Sequence, residues 1–133
     1  MVYNKELAVT SSLFFVPLYV LHNNNIFVFW VLQDLIILQG IVSILFWYNP
    51  VKGSIIHKVD KVLARISISS VISYKMYNGP TTMFVLTVMV MLLFFKMSNM
   101  YSRQEWCSKT HIICHAFAHL YAHNAIYLAF LHP

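Results

Sequence analysis

Hydrophobic residues occupy five long stretches of the chain, separated by short polar or helix-breaking segments. The stretches cover residues 7–22, 26–48, 60–77, 81–97 and 110–131. A helix needs roughly 17–25 residues to cross ~30 Å of hydrocarbon. The second and fifth stretches are long enough for this, and the others are short or polar. The pattern predicts an all-α, polytopic transmembrane helix bundle of about five spans, with residues 1–133 forming a single transmembrane domain.

The stretch at residues 60–77 carries more charge than the other four. Isoleucine and serine also alternate at residues 66–69. Alternation is typical of a half-buried strand, but a single strand leaves its backbone hydrogen-bonding groups unsatisfied in lipid. We therefore expect a helix in this stretch as well.

Lysine and arginine are distributed unevenly between the two sides of the predicted bundle. Eight of the nine fall on one side, and Lys75 falls on the other. Because cytoplasmic loops collect Lys and Arg, this split places the N-terminus and the loops at residues 49–61 and 98–109 inside. Cys107 and Cys114 then lie toward the reducing side and lack CxxC spacing, so no disulfide is expected.

The composition agrees with a membrane location. Of the 133 residues, 59% are hydrophobic and 10% are charged, and the mean hydropathy is +0.67. Soluble domains are about 25% charged, so a soluble fold is excluded. The net charge of +5 follows from the basic inner loops and favours anionic lipid headgroups rather than nucleic acid. We expect an integral, multi-pass membrane protein whose partners are membrane lipids, with other membrane subunits as further candidates.

The fifth stretch contains four histidines at successive i+4 steps, His111, His115, His119 and His123. Each step turns a helix by about 400°, so the stripe drifts by only ~40° per histidine and all four face one side. Two imidazoles one turn apart can share a metal ion such as zinc, copper, iron or nickel. The alternative is a polar seam in which the imidazoles hydrogen-bond to side chains of neighbouring helices.

Matching the depths of polar residues along the spans predicts partners for this stripe. Ser43 is expected level with His115, and Gln39 level with His119. The third stretch has a polar face that starts at Asp60, and this face should also look into the bundle. We therefore expect the histidine face of the fifth span to pack against the second and third spans.

Three short segments resemble motifs of the CREST superfamily, which includes alkaline ceramidases, progestin and adiponectin receptors and haemolysin-III-like proteins. Residues 43–47 (SILFW) resemble the first motif, SxxxH, residues 57–60 (HKVD) resemble the Asp-containing second motif, and residues 115–119 (HAFAH) resemble the third, HxxxH. The superfamily has seven spans and a zinc ion held by three histidines. With five spans the odd-even parity is kept, so all three motifs still meet at the inner face.

The resemblance implies a zinc site built from His115 and His119. Trp47 stands where the first motif has histidine, and tryptophan cannot ligate zinc. The third ligand is therefore expected to be His57 or His111, or to be absent. Nitrogen ligands without a thiolate pair agree with the tetrahedral preference of zinc.

The same resemblance implies a zinc-dependent membrane hydrolase that cleaves lipid amides. Zinc would activate a bound water, Asp60 would act as general base, and Ser43 would orient the water or the oxyanion. The alternative is a non-catalytic small membrane subunit that packs in a larger membrane complex. Haem ligation and a proton path along the histidines, with Asp34 at its deep end, are weaker alternatives.

Overall fold

The structure, a computed structural model, describes residues 4–12 and 27–131. These residues form five helices: α1 (Asn4–Ser12), α2 (Phe27–Tyr48), α3 (Ile55–Tyr77), α4 (Thr82–Gln104) and α5 (Lys109–Leu131). The predicted all-α class is confirmed for the described residues, including the alternating segment at 66–69. Most of the first predicted span, residues 13–22, lies outside them.

Two helices extend beyond the hydrophobic stretches that predicted them. α3 begins at Ile55 rather than at residue 60, and α4 continues to Gln104 rather than ending at residue 97. The start of α3 is set by Ser54, whose side chain accepts a hydrogen bond from a backbone N–H in the first turn. Hydrophobicity locates the part of a helix that is apolar, whereas capping residues set where it begins.

The helices pack so that α5 is the central element. Its largest interface is with α4, and it also contacts α1 and α3, while α2 packs on α1 and α3. α5 is joined to α2 through side chains, since the ring of Trp47 lies 4.7 Å from that of His115. The connections at residues 49–54 and 105–108 lie at one end of the bundle, which we call the basic end.

The described core consists of two clusters. A small one at the basic end contains Leu7, Phe46, Trp47 and Ile112, each at most 2% exposed. A larger one lies farther from that end and draws residues from α2, α3, α4 and α5. The polar side chains of the candidate site lie between the two clusters.

Two of the described helices, over Trp30–Tyr48 and Thr82–Gln104, are long and apolar enough to cross a membrane. Their outer faces expose large apolar side chains, among them Leu45 (58%), Met83 (65%) and Met89 (62%). Continuous apolar faces of this kind are typical of surfaces that contact lipid or another protein. Charges on α3 and histidines on α5 make those two helices less apolar, and the count of five spans stays a prediction.

Candidate functional site

The histidines of α5 follow one side of the helix, as their spacing predicts. The ring centroids of His111 and His115 are 6.0 Å apart, and those of His115 and His119 are 4.7 Å apart. The ring of His111 hydrogen-bonds to a backbone N–H, whereas the rings of His115 and His119 hydrogen-bond to side-chain hydroxyls. His111 belongs to the start of α5, whereas His115 and His119 lie inside the bundle.

His57 and His111 occupy equivalent positions at the starts of α3 and α5. Each lies three residues after a serine whose Oγ accepts a hydrogen bond from the histidine backbone N–H, at 3.2 Å in both helices. Each imidazole Nδ1 accepts a hydrogen bond from the backbone N–H of the residue before that serine, Gly53 at 2.8 Å and Cys107 at 3.1 Å. The arrangement is a variant of the capping box in which histidine replaces glutamate or glutamine.

The residues that precede the two capping serines share a left-handed backbone. Gly53 has φ of +82° and Cys107 has φ of +58°. Glycine adopts this conformation without a steric penalty, whereas a residue with a Cβ loses roughly 1–2 kcal/mol. The repeated sequences GSIIH at 53–57 and CSKTH at 107–111 are the signal for these caps, and this signal is separate from the hydrophobic pattern that predicted the spans.

The capping bonds determine which nitrogen of each imidazole carries the proton. A backbone N–H can only donate, so Nδ1 of His57 and of His111 provides the lone pair, and Nε2 carries the proton of the neutral ring. A metal-binding imidazole needs a lone pair on its ligating nitrogen. In these two histidines, the candidates for a third zinc ligand, that lone pair is engaged within the cap.

A set of aromatic rings encloses both capping histidines at the basic end. Phe46 stacks on His57 with centroids 4.7 Å apart and an interplanar angle of 7°. The Trp106 ring lies 5.2 Å from that of His57 and 5.1 Å from that of His111. Lys52 covers Trp106, with Nζ 5.5 Å from the ring centroid. The two caps therefore share one packed aromatic environment.

His119 is held by two hydroxyl groups of α1. Its Nδ1 lies 3.2 Å from Thr10 Oγ1 and 3.4 Å from Ser11 Oγ. Both hydroxyls donate their own protons to the Leu7 carbonyl, so toward the imidazole they act as acceptors. Nδ1 therefore carries the proton, and Nε2 of the neutral ring carries the lone pair. This tautomer is opposite to that of the two capping histidines.

Ser43 reaches His119 through α1. Its Oγ lies 3.0 Å from Ser11 Oγ, and the Ser43 hydroxyl also hydrogen-bonds to the Asp60 carboxyl. Ser43 is therefore two hydrogen bonds away from the His119 ring. The part of α1 that separates them was assigned to the first predicted span, whose role at this site the sequence analysis did not anticipate.

His115 hydrogen-bonds to a residue of α4 rather than of α2. Its Nδ1 lies 2.9 Å from Ser98 Oγ, and its ring is 4.7 Å from that of Trp47. Trp47 is therefore the α2 residue nearest in depth to His115, and Ser43 is close to His119. Gln39 lines the same pocket as His115 and His119, and the match of Ser43 with His115 stays a prediction.

Gln39 and Asp60 form a buried pair between α2 and α3. Gln39 Nε2 donates to Asp60 Oδ1 at 3.0 Å, and the two residues are each 7% exposed. Both line a partly open pocket of about 330 Å³ whose lining residues come from α2, α3, α4 and α5. Its polar wall includes Asp60, Lys61, Arg65, Asn99, His115 and His119.

The pocket changes from polar to apolar with distance from the basic end. Its charged residues belong to the first turns of α3, which begins at that end. The positions farther along the helices are apolar, including Ile36, Leu92 and Ile126. This gradient matches a molecule with a polar head and an apolar chain.

Two buried polar atoms in the pocket wall have no hydrogen-bond partner among the described residues. They are Gln39 Oε1 and Ser67 Oγ, and the Ser67 side chain is 5% exposed. Buried polar groups in folded proteins nearly always have a partner. Both atoms belong to side chains that line the pocket, and both lie just behind its surface.

The structure brings together part of the predicted site. Asp60, His115 and His119 line one pocket, and Ser43 is joined to it by a hydrogen bond to Asp60 and through Ser11 of α1. His57 and His111 instead serve as helix caps outside the pocket lining. Catalytic roles for Asp60 and Ser43 stay predictions.

A zinc ion needs three protein ligands at a catalytic site. Within residues 4–12 and 27–131, no group of three or more His, Cys, Asp or Glu side chains is arranged to hold a metal ion. The described pocket thus supplies the two imidazoles of the predicted site without the third ligand. Zinc stays a prediction from the resemblance.

Comparisons with protein-family models, with curated proteins and with solved structures find no match for this chain.

Proposed function

We propose that the protein is a multi-pass integral membrane protein that binds a lipid-like amphiphile in the pocket between α2, α3, α4 and α5. The observation that carries the proposal is the gradient within one cavity, from a charged and hydrogen-bonding wall at the basic end to an apolar wall beyond it. Ligand pockets span roughly 300–1,000 Å³. At about 330 Å³, this one matches a single apolar chain with its head group.

The membrane location is supported by charge and by exposed surface. Eight of nine Lys and Arg residues fall on one side of the proposed five-span topology, as expected for cytoplasmic loops. Apolar side chains cover the outer faces of α2 and α4. A ligand from the same bilayer then enters the pocket with its chain in the hydrocarbon and its head at the basic end.

Photocrosslinking tests the lipid-binding function. The probe is a monoacylglycerol with a diazirine in its acyl chain, added to the purified full chain in detergent, and labelled peptides are identified by mass spectrometry. We expect label on buried pocket residues such as Ile36 and Ile126. The substitution Ala64→Phe fills the pocket and should remove most of this label. Val62→Phe, on the exposed side of the same helix, is the matched control.

The pattern of label decides between two accounts. Label confined to the pocket and lost only in Ala64→Phe supports a ligand site. Label spread over the exposed faces and equal in both variants would contradict it. That result would favour the alternative function, a non-catalytic subunit whose apolar faces pack against other membrane helices.

A second candidate is the zinc-dependent hydrolase implied by the resemblance. It is favoured by the tautomer of His119, whose Nδ1–H is held by Thr10 and Ser11 so that Nε2 carries the lone pair. An imidazole fixed in this way through its other nitrogen is typical of metal ligands. Asp60 and His115 share the pocket with it.

The metal content of the purified protein tests this candidate. We expect His115→Ala and His119→Ala to lower any bound zinc more completely than His123→Ala, which changes the same residue type one turn farther along α5. Less than about 0.2 zinc per chain, unchanged in the His115 and His119 variants, would reject zinc in favour of hydrogen-bonded histidines.

A further inference from the structure

We propose that the ligand of this pocket is a single-chain lipid with an anionic head group and, next to that group, a hydroxyl or amide hydrogen-bond donor. This inference rests on the proposed function, because it names the ligand class of the same pocket. Lys61 and Arg65 hold the anionic group, and Gln39 and Ser67 bind the donor group below it.

The two cations are placed to bind one anion. Lys61 and Arg65 lie one helical turn apart on α3, so their side chains project from the same face. Both are exposed, and both line the pocket at its basic end. Neither forms a hydrogen bond or an ion pair with another described residue. The planar guanidinium of Arg65 matches the paired oxygens of a phosphate or carboxylate.

Among the described residues that line the pocket, Asp60 has the only carboxylate, and this carboxylate is hydrogen-bonded within the protein. Asp60 accepts a hydrogen bond from Gln39 on α2, and it also interacts electrostatically with Lys61, its neighbour on α3. The charge left at the pocket entrance is therefore positive. The lining contains two cations, Lys61 and Arg65, against the single carboxyl of Asp60, and an anionic lipid provides the second counter-ion.

The donor group is inferred from the two buried atoms that lack partners. Gln39 uses its amide N–H on Asp60, which leaves Oε1 as an acceptor without a described partner, just behind the pocket surface. Ser67 Oγ can donate or accept, and its side chain lines the same pocket. A ligand hydroxyl satisfies both atoms, because it donates to Gln39 and accepts from Ser67. An amide group does the same with its N–H and its carbonyl.

The order of these groups along α3 sets the order of groups in the ligand. Ser67 lies two residues beyond Arg65, which is ~3 Å farther along the helix axis. Arg65 and Ser67 project about 200° apart around the helix, but both line the pocket, and we place the donor within a few bonds of the anion. The apolar side chains of Ile36, Leu92 and Ile126 then face the acyl chain.

The test compares four ligands with the same oleyl or oleoyl chain, each competing with the diazirine monoacylglycerol for the pocket. Oleoylglycerol phosphate has an anionic phosphate and a hydroxyl, and N-oleoylglycine has a carboxylate and an amide. Oleoylglycerol has hydroxyls without the anion, and oleyl phosphate has the anion without the hydroxyl. We expect the first two to compete at least about tenfold better than the last two, as for one additional charged hydrogen bond. The ranking of oleoylglycerol phosphate and N-oleoylglycine distinguishes a phosphate from a carboxylate head.

Variants assign each part of the ligand to its side chains. Lys61→Gln and Arg65→Gln should each weaken oleoylglycerol phosphate about tenfold and leave oleoylglycerol unchanged. Lys58→Gln, an exposed lysine of α3 outside the pocket lining, is the matched control and should change neither. Ser67→Ala should weaken oleoylglycerol phosphate but not oleyl phosphate.

The outcomes separate this inference from the function on which it rests. If none of the four ligands removes label from the pocket, the proposed function fails. If all four compete equally and the Lys61 and Arg65 variants behave like Lys58→Gln, the pocket binds lipid but the anionic head group is overturned. If the anion matters and Ser67→Ala does not, the donor group is overturned alone.

Discussion

His111 and His119 lie two turns apart on one face of α5, yet their neutral rings carry the proton on opposite nitrogens. His111 Nδ1 accepts from the backbone N–H of Cys107. His119 Nδ1 donates to hydroxyls of α1 that have already given their own protons to a carbonyl. The first interaction lies within a single helix start, and the second joins two helices distant in sequence.

The difference shows that the hydrogen-bonding groups around a histidine determine its role. A histidine three residues after a capping serine stabilises the start of its helix, and its Nδ1 lone pair is used there. A histidine one or two turns later has no orphan backbone N–H to bind, so its ring depends on side chains from other helices. The regular i+4 spacing of the stripe therefore conceals two regions, a capping region at the basic end and a pocket region beyond it.

The largest effect is expected from Trp47→His, which adds an imidazole where the two regions meet. The Trp47 ring lies 4.7 Å from that of His115 and 6.0 Å from that of His111. This variant restores the SxxxH pattern after Ser43. We expect it to bind zinc at least about 100-fold more tightly than the unchanged protein, because a ligand contributes more than the 10–100-fold typical of its supporting groups. Titration calorimetry of the purified protein measures the affinity.

The matched control is Trp47→Phe, which removes the indole without adding a ligand and should leave zinc affinity unchanged. In the Trp47→His background, His115→Ala should abolish the gain and His111→Ala should preserve it. Equal loss in both double variants would mean that the capping histidine also ligates, and the separation into two regions would be wrong.

Regular spacing made part of the pocket region predictable from sequence. The i+4 steps of α5 predicted a single histidine face, and the inward polar face of α3 predicted that Asp60 would look into the bundle. Both line one pocket with Gln39. These inferences succeed because helix geometry alone decides which residues share a face.

The remaining contacts depend on pairing between helices, which a single sequence does not encode in its periodicity. Ser98, the partner of His115, lies just beyond the predicted end of the fourth span at residue 97, in what was expected to be a loop. Thr10 and Ser11 belong to the first predicted span, and nothing in their spacing indicated His119. The caps were readable in principle, because Ser-x-x-His occurs at the start of both α3 and α5.

The capping region should respond to Ser54→Ala and Ser108→Ala in stability and not in ligand binding. Each variant removes the hydroxyl that accepts the histidine backbone N–H. Loss of an N-cap serine costs about 1 kcal/mol, so each should lower the free energy of unfolding by that amount in mixed micelles. Ser98→Ala instead removes the hydrogen-bond partner of His115 in the pocket region. It should change the binding of the diazirine lipid. Unchanged stability in both cap variants would show that the caps do not set the helix starts.

The smallest expected effect is the pH dependence contributed by His57, which lies before the predicted third span. Burial lowers the pKa of His57 from its ordinary value of 6.5, and the positive charges of Lys61 and Lys52 lower it further. A protonated Nδ1 could not accept from Gly53, which agrees with this direction. In the unfolded chain the imidazole takes up a proton near pH 6.5, whereas in the folded chain it resists protonation until a lower pH. The stabilisation from this neutral ring is therefore fully present above the unfolded pKa and is lost as pH falls from it toward the folded pKa.

The measurement is the free energy of unfolding at pH 7.5 and 5.5, for the unchanged protein and for His57→Gln. The other histidines titrate in both proteins, so the difference between their pH slopes reports His57 together with its electrostatic effect on His111. We expect the unchanged protein to lose more stability on acidification than His57→Gln does. Equal slopes would mean that the ring is protonated as easily in the folded chain as in the unfolded one. Such a result would remove the fixed neutral tautomer on which the contrast between the capping and pocket histidines depends.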